Sequence, residues 1–537
     1  MVANRRSSSR LPTPIRPDVL RHYLDAIGYD AGLTRYLVNG FEEGFSLCHT
    51  TLAKFVSSSN ARILSHAKDV VQTKLSKELS AGRIAGPFDV PPFSPFQISP
   101  LNLREKKVPG TYRLLHNLSF PYDETSVNAN IPQSEKTVKM STVGDAIQKL
   151  LTLPLGAYTA KTDIADAYRL LPIAPADYPK LGMHFDTKYY YDKCLPQGCG
   201  SSCRIFETFS TALQAIFERT VNGLTCVHMI DDFFLMTETR QECEHHLASL
   251  LAVCDDIGVP MAPEKTTVPA TNTVFLGIEL DTVSRTAKLP QDKLREYMDV
   301  VEDLRHHRRV KRKTLESVIG KLSFAASVVP ARPFLRRMID LLSLAKKPHH
   351  YIRLTLEVLK DLDVWSQFLH DYNGVTYFRA LHITPSDAIN MASDASKLGF
   401  GAVYGKKWLQ AAYPTSWQDF HITVLELYPI LVMINVFGHL MKNSSILFHC
   451  DNSAVVAIIN KQSSRDKLVM AFVRPLVLLL ILHNIHLRSV HIPGVLNILP
   501  DKISRFQTTP SLLQDFGMDP RPTTIPKALL PENFTLQ

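Results

Sequence analysis

The chain has 537 residues, too many for a single core, and that length predicts three or four domains. Apolar residues make up 45% and charged residues 21%, the balance of a folded globular protein rather than a disordered or fibrous one. Lys plus Arg number 60 against 51 Asp plus Glu, an excess that favours a polyanionic partner without requiring one. The eight cysteines lack the density and regular spacing of a secreted disulfide framework, so an intracellular compartment, cytoplasm or nucleus, is expected. Cys194, Cys199 and Cys203, and Cys243 with His245 and His246, lie close in sequence, but no second CxxC-like pair completes either as a zinc site. The longest apolar run, "LVLLLIL" at 476–482, is far short of the ~20 residues a membrane helix needs, so no membrane partner is expected.

Residues 1–16 are basic and Ser/Pro-rich without an apolar stretch, and read as a disordered arm. Residues 17–96 read as a helical region and linker: "PDVLRHYLDAIGYD" and "NARILSHAKDVVQTKLSKELSAGRI" carry 3.6-period apolar positions, and "GPFDVPPFSPFQISP" leads onward. From 97 to 285 short β-rich runs alternate with helices, the pattern of a mixed α/β domain. Residues 286–346 switch to helix, with Leu294, Met298, Val301 and Leu304 on one face and a second helix starting near Lys313. Between them "RHHRRVKRK" at 305–313 holds six Lys or Arg in nine positions, which by itself reads as a solvated surface. An extended connection at 347–387 precedes a second α/β pattern at 388–507, and the Pro-rich tail 508–537 reads as loop or linker.

Two sets of acidic residues carry the chemistry. In the first, "AYTAKTDIADAYRLLPIA" puts Asp163 at the end of a β-like run with Asp166 and Tyr168 just beyond, and "CVHMIDDFFLM" places Asp231 and Asp232 in a tight turn between apolar strands. Buried unpaired carboxylates are costly, so these groups sit at an exposed tip or are held by cations. Side by side in one sheet they would form an oxygen-rich site for Mg²⁺, and two such ions ~3.5–4 Å apart can activate a 3′-hydroxyl and stabilise leaving pyrophosphate. Either motif alone would mark a surface turn as readily. Between them lies "LPQGCGSS", where Gly198 would permit close backbone approach to a ligand and Gln197 could meet a base or sugar, followed by the amphipathic helix "RIFETFSTALQAIFERTV". "KKVPGTYRLLHNLS" carries Lys106 and Arg113 on a hairpin, cations that could clamp a triphosphate. Lys265 follows the helix "ECEHHLASLLAVCDDIG" and is placed to protonate pyrophosphate as a general acid, and "VFLGIEL" at 274–280 reads as a hairpin strand.

The order "YRLLHNLS", "TDIADAY", "LPQG", "MIDD", "PEK" and "FLG" resembles the successive blocks of retroelement reverse transcriptases. The resemblance implies a right-hand polymerase with fingers and a ferredoxin-like palm at 97–285 and a helical thumb at 286–346. It implies that Asp163, Asp231 and Asp232 hold metal with the Ile164 backbone carbonyl, and that Tyr168 fills the space of a ribose 2′-hydroxyl. Asn117 stands where the family usually has Asp, and Met229 where Tyr is common; neither would be a metal ligand.

The second set lies in "INMASDASKLGFGAVYG", "ITVLELYPILVMINVFGHLM", "SSILFHCDNSAVVAIIN" and "IHLRSVHIPGVLNILPDKISRF", which bring Asp394, Glu426, Asp451 and Asp501 to element ends. Carboxylates at strand termini again suit two metals, here for water attack on a phosphodiester. "SDAS", "LEL", "CDN" and "PGxxNxxxD" resemble the ribonuclease H fold, whose four acidic residues these match; His491 sits ahead of the Pro-Gly, not in the loop after it. The wording of this region, with "YLVNGFEEGFSL" near the N-terminus, looks most like the DIRS/Ngaro retrotransposons, which integrate with a tyrosine recombinase. The implied whole is a multidomain α/β and α+β chain, a right-hand polymerase plus a ribonuclease H-like domain at 388–507. It would use Mg²⁺, two per active site, with Mn²⁺ as a substitute. Its partners would be RNA template, DNA primer, RNA–DNA hybrid and dNTPs, with integration left to a separate recombinase or integrase. The competing readings are a co-opted, non-catalytic nucleic-acid-binding protein of the same fold, and an RNA-dependent RNA polymerase, which Tyr168 and the fused nuclease disfavour.

Overall fold

The computed structural model describes residues 11–51, 56–61, 67–105, 110–329, 331–371, 376–377, 383–442 and 444–534. Two compact units divide the chain after Leu276.

In the first unit, α1 (Pro17–Ala26) opens with proline at its first turn, and α2 (Ala31–Glu43) is capped by Asp30, which accepts from the Leu33 N–H at 2.8 Å. Leu20, Leu24, Leu37 and Phe41 seal both helices into the main core. Residues 11–16, expected to belong to a disordered arm, are packed instead: Ile15 is 1% exposed, and the Arg16 N–H donates to the Ile257 carbonyl at 2.8 Å. One apolar residue among prolines carries no periodic signal, so only the tertiary contact reveals the docking. The expected long helix at 60–84 is shorter: α3 spans Lys68–Ser80, Gly82 at φ +69° ends it, and Ile84–Phe88 forms strand β1.

β2 (Leu101–Glu105) and β3 (Tyr112–His116) form an antiparallel hairpin that sets Arg104 opposite Arg113; Lys106, the other expected clamp residue, lies outside the described residues. β4 (Tyr158–Asp163) leads to β5 (Gly182–Phe185) and β6 (Lys188–Asp192), and β6 returns to pair with β1. After α4 (Ser202–Thr220) come β7 (Thr225–Met229) and β8 (Asp232–Thr237), which join β4 in an antiparallel sheet of order β4-β8-β7. α5 (Arg240–Ile257) starts at a Thr239–Glu242 capping box and stops at Gly258, φ +90°. α4 and α5 pack on this sheet, with Phe217 edge-on to Phe233 at 5.4 Å.

The second unit begins with strand Ile278–Asp281 paired to Thr286–Lys288. α6 (Gln291–Arg305) buries Tyr297, Val301 and Leu304 most deeply, leaving Leu294 and Met298 half-buried. β9 (Arg309–Lys311) precedes α7 (Arg312–Ala325); β10 (Tyr351–Arg353) pairs with β9, and α8 (Leu356–Asp371) follows. Then β11 (Met391–Ala395), β12 (Gly399–Tyr404) and β13 (Lys407–Ala412) make an antiparallel meander. α9 (Ile422–Phe437) crosses to β14 (Ser445–Cys450), and α10 (Ser453–Lys461) and α11 (Lys467–Leu482) lead to β15 (His486–His491), parallel to β14; α12 (Ile498–Ser504) completes the set.

It is α9, rather than the apolar run at 476–482, that has the more membrane-like composition: Ile422–Leu440 is long and apolar enough to cross a bilayer, yet 78% of it is buried in this unit. Interspersed Thr423, Glu426 and Tyr428 break it into short runs in the sequence. The tail beyond 507, expected as loop or linker, also packs. The Trp408 indole donates to the Asp519 carbonyl at 2.9 Å, the Tyr428 hydroxyl to Leu529 at 2.7 Å, and Phe534 stacks on Phe472 at 5.3 Å.

Candidate active sites

In the first unit the register of β4 and β8 sets Asp163 directly opposite Asp232, while Asp232 faces Met229 across the hairpin. The turn itself is Ile230 and Asp231; Asp232 already belongs to the strand, a correction to the expected two-aspartate turn. The Ile164 N–H donates to the Asp231 carbonyl at 2.9 Å and locks the two strand ends together. Ile230 holds φ +59°, a left-handed conformation unfavourable for a β-branched residue. Its N–H donates to Glu207 of α4 at 3.2 Å, and the other oxygen of this buried carboxylate lies 3.2 Å from His228. Glu207 therefore holds the hairpin tip, a role the sequence hides because the residue sits mid-helix among apolar positions.

Lys265 lies against Asp163 with its ammonium 2.5 Å from the carboxylate. Burial works against the lysine charge, but the bond to Asp163 outweighs it and holds the pKa above its ordinary value. Burial, then the Asp163 charge, raises Asp231; burial also pushes Asp232 to about 6 against the pull of Lys161. A cavity of about 400 Å³ opens here, lined by Arg113, Ile164, Gln197, Asp231 and Lys265. Tyr168 is half-buried, edge-on to Phe206 at 5.3 Å, and burial followed by the neighbouring Cys203 raises its hydroxyl pKa. Gly198 requires a different explanation from the expected one. A Cβ there would collide with the His116 carbonyl, so the close approach is to the protein's own backbone. Asn128 ties the same loop down, donating to the Gly198 carbonyl and accepting from the Gly200 N–H, each at 2.8 Å.

The same cavity is lined by an ion network absent from the sequence reading. Arg169 reaches Asp192 at 2.8 Å and Glu78 at 2.9 Å, and donates to the Cys194 carbonyl at 3.1 Å. His116 meets Asp192 at 3.1 Å, and Arg83 meets Asp166 at 2.8 Å. Burial opposes the charges, yet Asp192 holds the Arg169 pKa up and Arg169 holds Asp192 down. The network spans α3, β6 and the loop leading to Gln197, which are brought together only by folding.

In the second unit Asp394 lies one residue from the end of β11, Glu426 lies in the second turn of α9, and Asp451 follows β14. Oxygens of all three lie within 4.8 Å of one another. Among the described residues, no other acidic trio is gathered that closely, and in the first unit Asp163 is instead paired with Lys265. Asp501 on α12 is engaged by Arg505 at 2.7 Å and acts on the trio through its charge. The Ser504 hydroxyl donates to Asp394 at 2.6 Å, and Asn497 bridges the Ser393 carbonyl at 3.0 Å to Asp451 at 3.5 Å. Burial raises Glu426 to about 9 and Asp394 to about 6, with the other carboxylates adding to the rise in Glu426. One Asp451 oxygen is buried with no hydrogen-bond partner. An all-oxygen donor set with an orphaned acceptor fits a hard divalent cation. His491 ends β15 opposite Cys450 and is exposed.

Residues 105–280 match the family "Reverse transcriptase (RNA-dependent DNA polymerase)", and the chain thus carries a reverse transcriptase domain. Protein P of duck hepatitis B virus (strain China) is 28% identical over 195 residues, 35% of this chain and 23% of that protein. The enzymatic polyprotein of carnation etched ring virus is 22% identical over 264 residues, 45% of this chain and 36% of that protein. The chain thus matches about a quarter to a third of the length of these curated relatives. The foamy viral protease-reverse transcriptase solved with an RNA/DNA hybrid aligns with a TM-score of 0.52 at 15% identity, covering 95% of this chain and 65% of that one. The same enzyme with dsDNA gives 0.51 at 16%, covering 90% and 98%. At these identities the likeness establishes the right-hand polymerase fold in a mixed α/β multidomain chain.

Proposed function

With a reverse transcriptase domain at residues 105–280 as premise, we propose that the chain is an RNA-directed DNA polymerase fused to a ribonuclease H, copying retroelement RNA into DNA and degrading the RNA of the hybrid. The observation that carries it is the presence of two separate carboxylate sets, each at converging element ends: Asp163 beside Asp231 and Asp232, and Asp394 with Glu426 and Asp451. Mg²⁺, when bound by these carboxylates, would supply charge neutralisation and an activated oxygen nucleophile.

In the polymerase, Asp163, Asp231 and Asp232, with the Ile164 carbonyl, hold the metal. Arg113 and Lys106 draw in the triphosphate, Gln197 faces the incoming nucleotide, and Lys265 carries a proton within reach of the leaving group. Tyr168 excludes ribose and so favours dNTPs. In the nuclease, Asp394, Glu426, Asp451 and Asp501 hold metal while Ser504 and Asn497 orient the first and third of them. RNA template, DNA primer and RNA–DNA hybrid are the partners, in cytoplasm or nucleus. A DIRS/Ngaro-type element, with a separate recombinase, is the source this reading assigns.

The test is incubation of the chain with Mg²⁺, an RNA template and a DNA primer, with either dNTPs or NTPs, alongside a labelled RNA–DNA hybrid. Extension with dNTPs and cleavage of the RNA strand are expected. Hybrid binding without either activity would replace this reading with that of a non-catalytic binding protein, and extension with NTPs alone would make it an RNA polymerase.

A further inference from the structure

Residues 508–534 pass round the nuclease-like part of the second unit and grip two of the elements that carry its carboxylates. They begin at α12, which bears Asp501 and the Ser504 that donates to Asp394. Thr509 caps a short helix, Pro510–Asp515, by accepting from the Leu512 N–H at 3.2 Å. Leu513 and Met518 then bury against Leu499 and Ile503 of α12, in one cluster with Val403 and Trp408. Next the segment covers the outer edge of β13, the end strand of its sheet. The Asp519 N–H donates to the Lys406 carbonyl and the Thr523 N–H to the Trp408 carbonyl, each at 2.8 Å. Farther on, Ile525 enters the core that α9 and α11 share. The Leu529 carbonyl accepts from the Tyr428 hydroxyl, and Phe534 lies edge-on to Tyr428 at 5.2 Å and stacked on Phe472 at 5.3 Å.

The two ends of this path matter because of what they hold. Asp394, Glu426 and Asp451 are like charges within 4.8 Å, so their mutual repulsion works to spread them. Ser504 and Asn497, at the two ends of α12, restrain Asp394 and Asp451. Glu426 depends on where α9 lies. Among the described residues, no hydrogen bond joins α9 directly to α12, whereas residues 508–534 pack on both. At about 100° per residue, Glu426 and Tyr428 point to different sides of α9, so the segment fixes the helix without entering the site. Groups that orient ligands from outside the ligand shell typically change metal affinity by about 10- to 100-fold.

We propose that residues 508–534 form a girdle that fixes α9 against α12 and so sets the metal affinity of the second carboxylate set, with Tyr428 and Phe534 as its positioning residues. This rests on the reading of that set as a nuclease metal site, and adds to it an element that touches neither metal nor substrate.

The test titrates Mn²⁺ into the full chain carrying Asp231→Asn, which removes a ligand of the first site, and follows free Mn²⁺ by electron spin resonance. Phe534→Ser should raise the Kd of the second site roughly tenfold. Tyr428→Phe keeps the ring and removes only the bond to Leu529, and should raise it about threefold. Phe534→Leu should restore most of the affinity. The Mg²⁺ concentration for half-maximal cleavage of RNA in a hybrid should rise by the same factors, with the rate recovering at saturating Mg²⁺. Primer extension by the same variants without Asp231→Asn should be unchanged. An unaltered Kd in both Phe534→Ser and Tyr428→Phe would overturn the proposal, and a fall in the unfolding midpoint alone would leave the segment as packing. A chain whose Mn²⁺ binding does not respond to Asp451→Asn would instead defeat the nuclease reading beneath it.

Discussion

In the first unit the Lys265 ammonium lies 2.5 Å from Asp163, and Arg113 and Lys161 add positive potential near Asp231 and Asp232. In the second, Asp394, Glu426 and Asp451 crowd within 4.8 Å, and the adjacent Arg505 is already committed to Asp501 at 2.7 Å. The same chemical group is thus held in two electrostatic regimes. Burial raises Asp232 and Asp394 alike to about 6, but only in the set without a built-in cation does it drive a third carboxyl, Glu426, to about 9. The polymerase site is partly self-neutralised for a substrate that arrives carrying its own charge. The trio of the second unit has the all-oxygen donor chemistry that suits a hard divalent cation.

The largest effect expected is a separation of activities. Asp231→Asn should lower primer extension by roughly 10⁴-fold while leaving cleavage of the RNA strand largely intact, and Asp451→Asn should do the reverse. Loss of both activities from either change, in a folded protein, would collapse the two sites into one. Next in size is the ion network that lines the cavity of the first unit. Arg169→Met leaves the buried Asp192 with only His116 beside it and the half-buried Glu78 with only Arg83 at 3.9 Å, and should cost about 3 kcal/mol, lowering the unfolding midpoint by on the order of 10 °C. Calorimetry showing no change would mean the network is not buried as drawn.

The comparison is sharpened by pH. Glu426, raised from 4.5 to about 9, binds a proton more tightly folded than unfolded. Its contribution to stability is therefore fully present below about pH 4.5 and lost as pH rises through about 9. Metal-free protein should lose up to about 1.4 kcal/mol per pH unit over that window. Mg²⁺ should reverse the trend, stabilising more at pH 8 than at pH 6 because it competes with the proton. Glu426→Gln should flatten both dependences in thermal melts; melts of that variant that still follow wild type would show the slope comes from elsewhere. The smallest effect is at Tyr168, where Tyr168→Ala should raise ribonucleotide incorporation by about tenfold. Unchanged sugar discrimination would remove the residue from nucleotide selection.

Both carboxylate sets were legible in the sequence through the ordered blocks that resemble reverse transcriptases and the ribonuclease H fold, since acidic residues at the ends of apolar runs would alone mark surface turns as readily. Alternation and 3.6-period patterning located β4, β7, β8 and α9 as well. Arg169, Glu207 and Asn128 were not legible: each looks ordinary in its own segment, and the partners named above lie 21 residues or more away. Gly198 was read correctly as a close-approach glycine but for the wrong neighbour, since only the fold brings His116 against it. Residues 11–16 and the tail were misread as loose because proline-rich segments lack periodicity, although Ile15, Ile525 and Phe534 anchor them.

By itself, the sequence determined which residues could carry charge and where strands and helices would place them, since both depend on local chemistry and period. The tertiary structure alone decided which charges would be neutralised: Asp163 by Lys265 and Arg169 by Asp192, whereas Arg309 faces Arg353 and, among the described residues, meets no carboxylate. Electrostatic pairing depends on distance in space, and chain folding sets that distance without regard to separation in sequence.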